Sequence, residues 1–148
     1  MILLDTSGLL AWIDARQTDH RQTVEAMRHV EPPYLLSPFV LAELDHLIST
    51  RVGPAEQYAL LAEVASGAFR LVDFKSDQVS SALSVIRKYA DFQIGLADAS
   101  LVVLADTFKT RRILTLDERH FRVLRGADQR PFEIFPIDHK PEIRDGNG

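Results

Sequence analysis

The chain has 148 residues, of which 46% are hydrophobic and 26% are charged. This composition is typical of one folded domain and excludes a disordered or fibrous protein. Cysteine is absent, which excludes disulfide frameworks and thiolate zinc sites and indicates a reducing compartment. We therefore expect a cytoplasmic protein. We expect neither a signal peptide nor a membrane span, because no stretch of about 18 residues is free of charge.

The formal net charge is −4, but the charge is unevenly distributed. Residues 1–108 carry 8 basic and 14 acidic side chains, whereas residues 109–130 carry 7 basic and 3 acidic ones. The acidic balance excludes a general nucleic-acid-binding surface over the whole molecule. The arginine-rich strip at 109–130 is either a phosphate-binding surface or a solvated face.

Apolar runs and alternating segments predict five strands, at 2–4, 34–36, 69–74, 113–116 and 132–135. Helical spacing predicts seven helices between and after them, at 7–15, 18–30, 38–51, 54–66, 76–90, 96–108 and 118–125. Ser37 and Pro38 form the N-cap and first position of the third helix. Strands separated by one or two helices predict an α/β fold with a mostly parallel sheet. The predicted domain spans 1–136, and 137–148 forms a polar C-terminal tail that we expect to be flexible.

Four carboxylates stand at positions where the sequence pattern predicts burial. Asp5 and Asp117 each end a predicted strand, and Glu43 and Asp98 fall on apolar helix stripes. A buried carboxylate without a partner is costly, so a divalent metal shared by all four would compensate them. Oxygen ligands without cysteine favour Mg²⁺ or Mn²⁺. Such a site is typical of phosphodiester hydrolysis.

Each carboxylate also has a purely structural explanation. Asp5, Asp98 and Asp117 lie beside predicted helix starts, where an acidic side chain caps the helix or complements its dipole. Glu43 could instead pair with an arginine such as Arg51 or Arg112. The histidines have no metal-ligand spacing, so we interpret them as solvent or interface residues: His20, His29, His46, His120 and His139.

Four sequence motifs resemble those of one known family in their order and spacing. They are Leu4-Asp5-Thr6-Ser7, Ser37-Pro38 through Ala42-Glu43-Leu44, Ile94-Gly95-Leu96-Ala97-Asp98-Ala99, and Leu114-Thr115-Leu116-Asp117 with Phe121. Each motif is weak alone, but together they resemble the PIN-domain endoribonucleases, specifically the VapC toxins of bacterial toxin-antitoxin pairs. Gly8 and Leu96 depart from the alanine and isoleucine that are more usual in the family.

The resemblance implies a three-layer α/β/α domain and a metal-dependent ribonuclease. Mg²⁺, with Mn²⁺ as a possible substitute, would be bound by Asp5, Glu43, Asp98 and Asp117. Ser7 and Thr115 would orient the carboxylates or a water. Activated water would cleave RNA and leave a 5′-phosphate and a 3′-hydroxyl. The implied partners are a VapB-type antitoxin and a second copy of the chain.

Three arginines could hold RNA phosphate beside such a site: Arg112, Arg119 and Arg122. Other functions remain open at this point. A non-catalytic PIN-like binding module would be expected to lack a carboxylate, and all four are present. A phosphoryl-accepting receiver domain needs a lysine after a late strand, and the only lysine beyond Lys109 is Lys140. A PIN-like metal nuclease in RNA maturation, or one that acts on DNA, stays an alternative.

Overall fold

Five parallel strands form a single sheet in the computed structural model, which describes residues 1–140. In chain order they are β1 (Ile2–Leu4), β2 (Tyr34–Leu36), β3 (Arg70–Leu71), β4 (Arg112–Leu114) and β5 (Glu133–Phe135). Their spatial order is β3-β2-β1-β4-β5. In the register, Leu4 is paired with Leu36 on one side and with Leu114 on the other. β1 is therefore the central strand, a position that suits its uninterrupted apolar sequence.

Seven α-helices connect the strands within the described residues. They are α1 (Thr6–Ile13), α2 (His20–Met27), α3 (Pro38–Arg51), α4 (Pro54–Ser66), α5 (Ser76–Lys88), α6 (Leu96–Phe108) and α7 (Glu118–Phe121). Local signals in the sequence explain several of their ends. The Ser37 hydroxyl accepts a hydrogen bond from the Phe39 amide at 3.2 Å and caps α3. Gly67 ends α4 in the left-handed conformation, with φ of 87°.

Helices cover both faces of the sheet. Connections between parallel strands are right-handed. The helices that connect β1 to β2 and β2 to β3 therefore lie on one face of the sheet, and those that lead back to β4 and β5 lie on the other. Consecutive residues on the inner strands are accordingly inaccessible to solvent, such as Ile2, Leu3 and Leu4 at 0% exposure. The predicted three-layer α/β/α architecture with a parallel sheet is confirmed. Among residues 1–140, no helix has both the length and the apolar character that crossing a bilayer requires.

The structure differs from the sequence prediction at some element ends. The predicted strand at 69–74 pairs only over Arg70–Leu71, because its sole neighbour, β2, offers three residues. The predicted tail begins with a 3₁₀ turn over Ile137–His139. Within this turn, the Asp138 carboxylate accepts a hydrogen bond from the Ile134 amide at 2.8 Å. Residues 141–148 of the predicted tail lie outside the described residues.

Candidate metal centre

The carboxylates lie at the carboxyl edge of the sheet, where β1 and β4 are neighbours. Asp5 follows β1 directly, and its amide donates a hydrogen bond to the Leu114 carbonyl at the end of β4. Asp117 follows β4 by three residues. The crossovers change direction between β1 and β4, and such a switch point opens a crevice that commonly binds ligands. The topology therefore places both strand-end carboxylates at the same crevice.

Asp5 is held by two hydroxyl groups. Its Oδ2 accepts hydrogen bonds from Thr115 Oγ1 at 2.6 Å and from Ser7 Oγ at 3.3 Å. The two hydroxyls are fixed in turn by backbone amides. Ser7 Oγ accepts from the Leu116 amide and Thr115 Oγ1 from the Asp117 amide, both at 3.0 Å. Ser7 and Thr115 thus orient the Asp5 carboxylate and connect α1 to the loop after β4.

Asp5 is only 6% exposed. Burial raises the pKa of Asp5 from its usual 3.8 to about 6, against the opposing effect of the Thr115 hydrogen bond. The negative charges of Asp98 and Asp117 raise this pKa further. Asp5 is the N-cap residue of α1, but its side chain makes no capping hydrogen bond to that helix. Helix capping therefore does not explain this carboxylate.

Asp98 lies in the first turn of α6 and faces the same crevice. Partial burial raises the pKa of Asp98, His120 lowers it, and the charges of Asp117 and Glu43 raise it. Asp117 does act as a helix cap, because its Oδ1 accepts a hydrogen bond from the His120 amide at 3.1 Å. This cap uses one oxygen and leaves Oδ2 near the other acidic groups.

Glu43 is exposed, which corrects its predicted place on a core-facing stripe. The buried residues of α3 are Val40, Leu44 and Ile48, each four positions from the next. Glu43 flanks this line, so its side chain reaches the open side of the crevice and not the core. Its Oε2 accepts a hydrogen bond from Thr6 Oγ1 at 2.9 Å. Within residues 1–140, Glu43 forms no ion pair with an arginine.

A buried hydroxyl pair joins the two helices that carry Glu43 and Asp98. Ser37 Oγ, at the start of α3, and Ser100 Oγ, in α6, are 2.8 Å apart and both are inaccessible to solvent. Ser100 Oγ also donates to the Ala97 carbonyl at 2.6 Å, so Ser37 is the donor to Ser100. This contact sets the position of α3 relative to α6.

The structure places His120 at the site, although the sequence predicts a solvent or interface role for this residue. His120 Nδ1 lies 2.9 Å from Asp117 Oδ2 and 3.4 Å from Asp98 Oδ2. The three-residue spacing of Asp117 and His120 puts both on one side of the short α7. This spacing is the sequence signal that points to the pairing, whereas the spacing between histidines alone gives none. Thr6, which holds Glu43, is likewise absent from the predicted site residues.

Three of the seven basic residues in the arginine-rich strip form ion pairs within the described residues: Arg111, Arg112 and Arg122. Arg122 pairs with Asp138 at 2.5 Å and with Glu118 at 3.2 Å. Arg112 begins β4, so it lies at the opposite edge of the sheet from the crevice. Arg119 is exposed and stands two residues after Asp117. Of the three arginines considered as phosphate contacts, Arg119 has the position best suited to that role.

These residues fit a divalent metal ion. Ligand atoms of Asp98, Asp117 and His120 lie within 4.8 Å of one another, and the buried carboxylate of Asp5 is repelled by its acidic neighbours. A cation relieves that repulsion, and carboxylate oxygens are the donors that hard divalent ions prefer. The donor set and its excess negative charge therefore match a metal site.

Comparisons with known proteins agree with this architecture. Residues 2–126 match the PIN domain family. The chain is 43% identical to Ribonuclease VapC26 of Mycobacterium tuberculosis (strain ATCC 25618 / H37Rv) over 135 residues, which cover 91% of this chain and all of that protein. A similar fold is found in the crystal structure of VapC20 of M. tuberculosis, a Sarcin-Ricin loop cleaving toxin. The two structures superpose with a TM-score of 0.74 at 20% sequence identity, over 80% of this chain and 91% of VapC20. The protein therefore belongs to the PIN-domain family, among the VapC-type ribonucleases.

Proposed function

We propose that the protein is a divalent-metal-dependent endoribonuclease and the toxin of a VapBC-type toxin-antitoxin pair. The observation that supports it most directly is the convergence of Asp5, Asp98 and Asp117 at one crevice, with Glu43 at its open side. The names of the two similar proteins, a ribonuclease and a loop-cleaving toxin, agree with RNA as the substrate.

Each side chain has a role in this proposal. The carboxylates of Asp5, Glu43, Asp98 and Asp117 would hold Mg²⁺, for which Mn²⁺ could substitute. A bound ion supplies activation of the attacking water and neutralisation of charge on the phosphate. Ser7 and Thr115 fix the rotamer of Asp5, and Thr6 fixes Oε2 of Glu43. Preorganised ligands of this kind spare the reaction the cost of assembling them.

The nuclease activity is tested by cleavage of a structured RNA pool with the full chain. The arms contain Mg²⁺, Mn²⁺ or a chelator, and single-stranded DNA serves as a second substrate. We expect metal-dependent RNA cuts that leave 5′-phosphates, reduced at least about a hundredfold in Asp98→Asn. Asp45→Asn is the matched control, because Asp45 lies on α3 and accepts a hydrogen bond from Gln57 at 2.8 Å, which an amide oxygen can also accept. Equal activity in wild type and Asp98→Asn would refute the site, and a preference for DNA would favour the alternative nuclease.

The toxin role is tested in cells. We expect growth arrest on induced expression of the wild-type chain and normal growth with Asp98→Asn at equal protein level. Co-expression of a cognate VapB-type antitoxin should restore growth. Arrest that is equally strong with Asp98→Asn would show that the toxicity does not depend on this crevice.

Two further parts of the proposal concern the assembly and its location. We propose a cytoplasmic homodimer, and exposed apolar side chains on α4 and α5, such as Tyr58 and Leu83, are available for an interface. Sedimentation of the purified chain measures its mass. A monomer at micromolar concentration would contradict the homodimer without affecting the nuclease.

A further inference from the structure

One ring nitrogen of His120 is buried against the acidic cluster. Nδ1 has almost no accessible surface, although the side chain as a whole is 20% exposed. Oδ2 of Asp117 and Oδ2 of Asp98 lie 2.9 Å and 3.4 Å away. Despite these short distances, Nδ1 has no hydrogen bond of acceptable geometry within the described residues. The two oxygens therefore flank the nitrogen and do not lie along the direction of a ring N–H.

The other ring nitrogen determines the tautomer. Nε2 of His120 is 3.1 Å from the Phe92 carbonyl oxygen, which can only accept a hydrogen bond. Nε2 therefore carries a hydrogen whichever form the ring takes, and in the neutral ring Nδ1 carries a lone pair with a carboxylate oxygen to either side. The lone pair and the two carboxylate oxygens beside it repel one another, and a cation bound among the three atoms would relieve that repulsion. A histidine that donates one N–H to a backbone carbonyl is also the usual arrangement of a metal-ligating imidazole.

We infer that His120 Nδ1 is a nitrogen ligand of the metal held by Asp98 and Asp117, and that it makes the site prefer Mn²⁺ and Co²⁺ over Mg²⁺. This inference rests on the proposed metal-dependent function and adds a donor to the oxygen ligands. Imidazole binds first-row transition ions much better than Mg²⁺, which prefers oxygen and keeps several waters. The Phe92 carbonyl acts as a positioning group, because it holds the ring with Nδ1 toward the acidic groups.

A different role for His120 makes the opposite prediction. A protonated ring would act as a permanent positive charge between the carboxylates and would compete with any metal ion. Removal of that charge would strengthen the binding of Mg²⁺, Mn²⁺ and Co²⁺ together. A nitrogen ligand, by contrast, contributes to the binding of Mn²⁺ and Co²⁺, so its removal weakens the binding of these two ions selectively.

The test is metal titration of the full chain after chelator treatment, by calorimetry with Mg²⁺, Mn²⁺ and Co²⁺ separately. We expect His120→Asn and His120→Gln to weaken Mn²⁺ and Co²⁺ binding at least about tenfold and Mg²⁺ binding by less than about threefold. His29→Asn is the matched control, because His29 is exposed and lies near Arg112 at the opposite edge of the sheet. We expect it to bind all three ions as wild type does. Far-UV circular dichroism shows that each variant is folded.

Pulsed electron paramagnetic resonance of the Mn²⁺ complex gives a direct second readout. We expect an imidazole ¹⁴N coupling in wild type and His29→Asn, and none in His120→Asn. A coupling that persists in His120→Asn, or an equal change in the affinities for all three ions, would overturn the inference. Asp98→Asn separates this outcome from failure of the proposed function. If Asp98→Asn binds every ion as tightly as wild type, the metal site itself is wrong. If Asp98→Asn loses metal affinity but His120→Asn shows no selective effect on Mn²⁺ and Co²⁺, only the role of His120 is refuted.

Discussion

Asp5 is buried with its negative charge beside two other carboxylates, so its ionisation opposes folding when no metal is bound. Its pKa is about 6 in the folded chain, against 3.8 for an unperturbed aspartate. Between these two pH values the folded state binds more protons than the unfolded state, so the free energy of unfolding falls as pH rises from about 4 to about 6. Above pH 6 the full cost is about 3 kcal/mol.

Asp5→Asn should therefore stabilise the metal-free protein while abolishing RNA cleavage. In chelator at pH 7.5, we expect its Tm to exceed that of wild type by roughly 5 to 10 °C. The difference should disappear near pH 4, where Asp5 is protonated in wild type. Thermal unfolding between pH 4 and pH 8 measures it, with Asp45→Asn as the control that keeps the wild-type profile. A Tm difference that does not change with pH would contradict this account of Asp5.

Packing between elements fixes the distance between Asp5 and the loop after β4. α1 lies so close to β4 that a Cβ atom on Gly8 would be 2.4 Å from the Leu114 carbonyl oxygen. A Cβ atom at this position would require α1 and β4 to separate, because the approach is of backbone to backbone and cannot adjust as a side chain can. The contact also holds Ser7 within hydrogen-bonding reach of the Leu116 amide.

Gly8→Ala should destabilise the protein, although alanine is the better helix former. Helix propensity alone predicts a gain of roughly 1 kcal/mol, whereas overpacking typically costs about 1 to 3 kcal/mol. We expect the overpacking to dominate and the binding of Mg²⁺ and Mn²⁺ to weaken, because α1 and β4 must separate. Urea denaturation in chelator measures the first effect and calorimetry the second. A variant more stable than wild type, with unchanged metal affinity, would show that α1 and β4 do not pack this closely at Gly8.

At the scale of the whole molecule, an excess of negative charge is concentrated at the crevice. A cation that binds only the folded chain stabilises it in proportion to the logarithm of its concentration. Protons compete with the cation for Asp5 and Asp98, whose pKa values are raised, so the affinity for metal should fall as pH falls below about 6.

Mn²⁺ or Mg²⁺ should therefore raise the thermal stability of wild type. At a hundred times the Kd, the expected gain is about 2.7 kcal/mol, or roughly 5 to 10 °C in Tm. A sodium chloride solution of equal ionic strength is the control for screening, and Asp98→Asn is the variant that should gain least. Equal gains from sodium chloride and from the divalent ions would indicate screening and not binding.

Much of the fold could be predicted from local sequence signals. β1 is an uninterrupted apolar run, and Ser37 with Pro38 marks the start of α3, because these features act over a few residues. The helix ends predicted from the sequence agree less well with the structure. α2 ends at Met27 and not at residue 30, and α7 is a single turn ending at Phe121. Such ends depend on packing against the rest of the molecule and not on local propensity.

The sequence by itself determined the α/β class and the order of the elements, and it singled out the four carboxylates of the proposed metal site, because the period of apolar residues, helix caps and motif spacing are properties of neighbouring residues. Only the tertiary structure decided which faces those residues present. It placed Glu43 on the open side of the crevice, held Asp5 with hydroxyls from α1 and the loop after β4, and brought His120 against Asp98. These contacts join residues far apart in the chain, and their geometry follows from how the helices pack on the sheet.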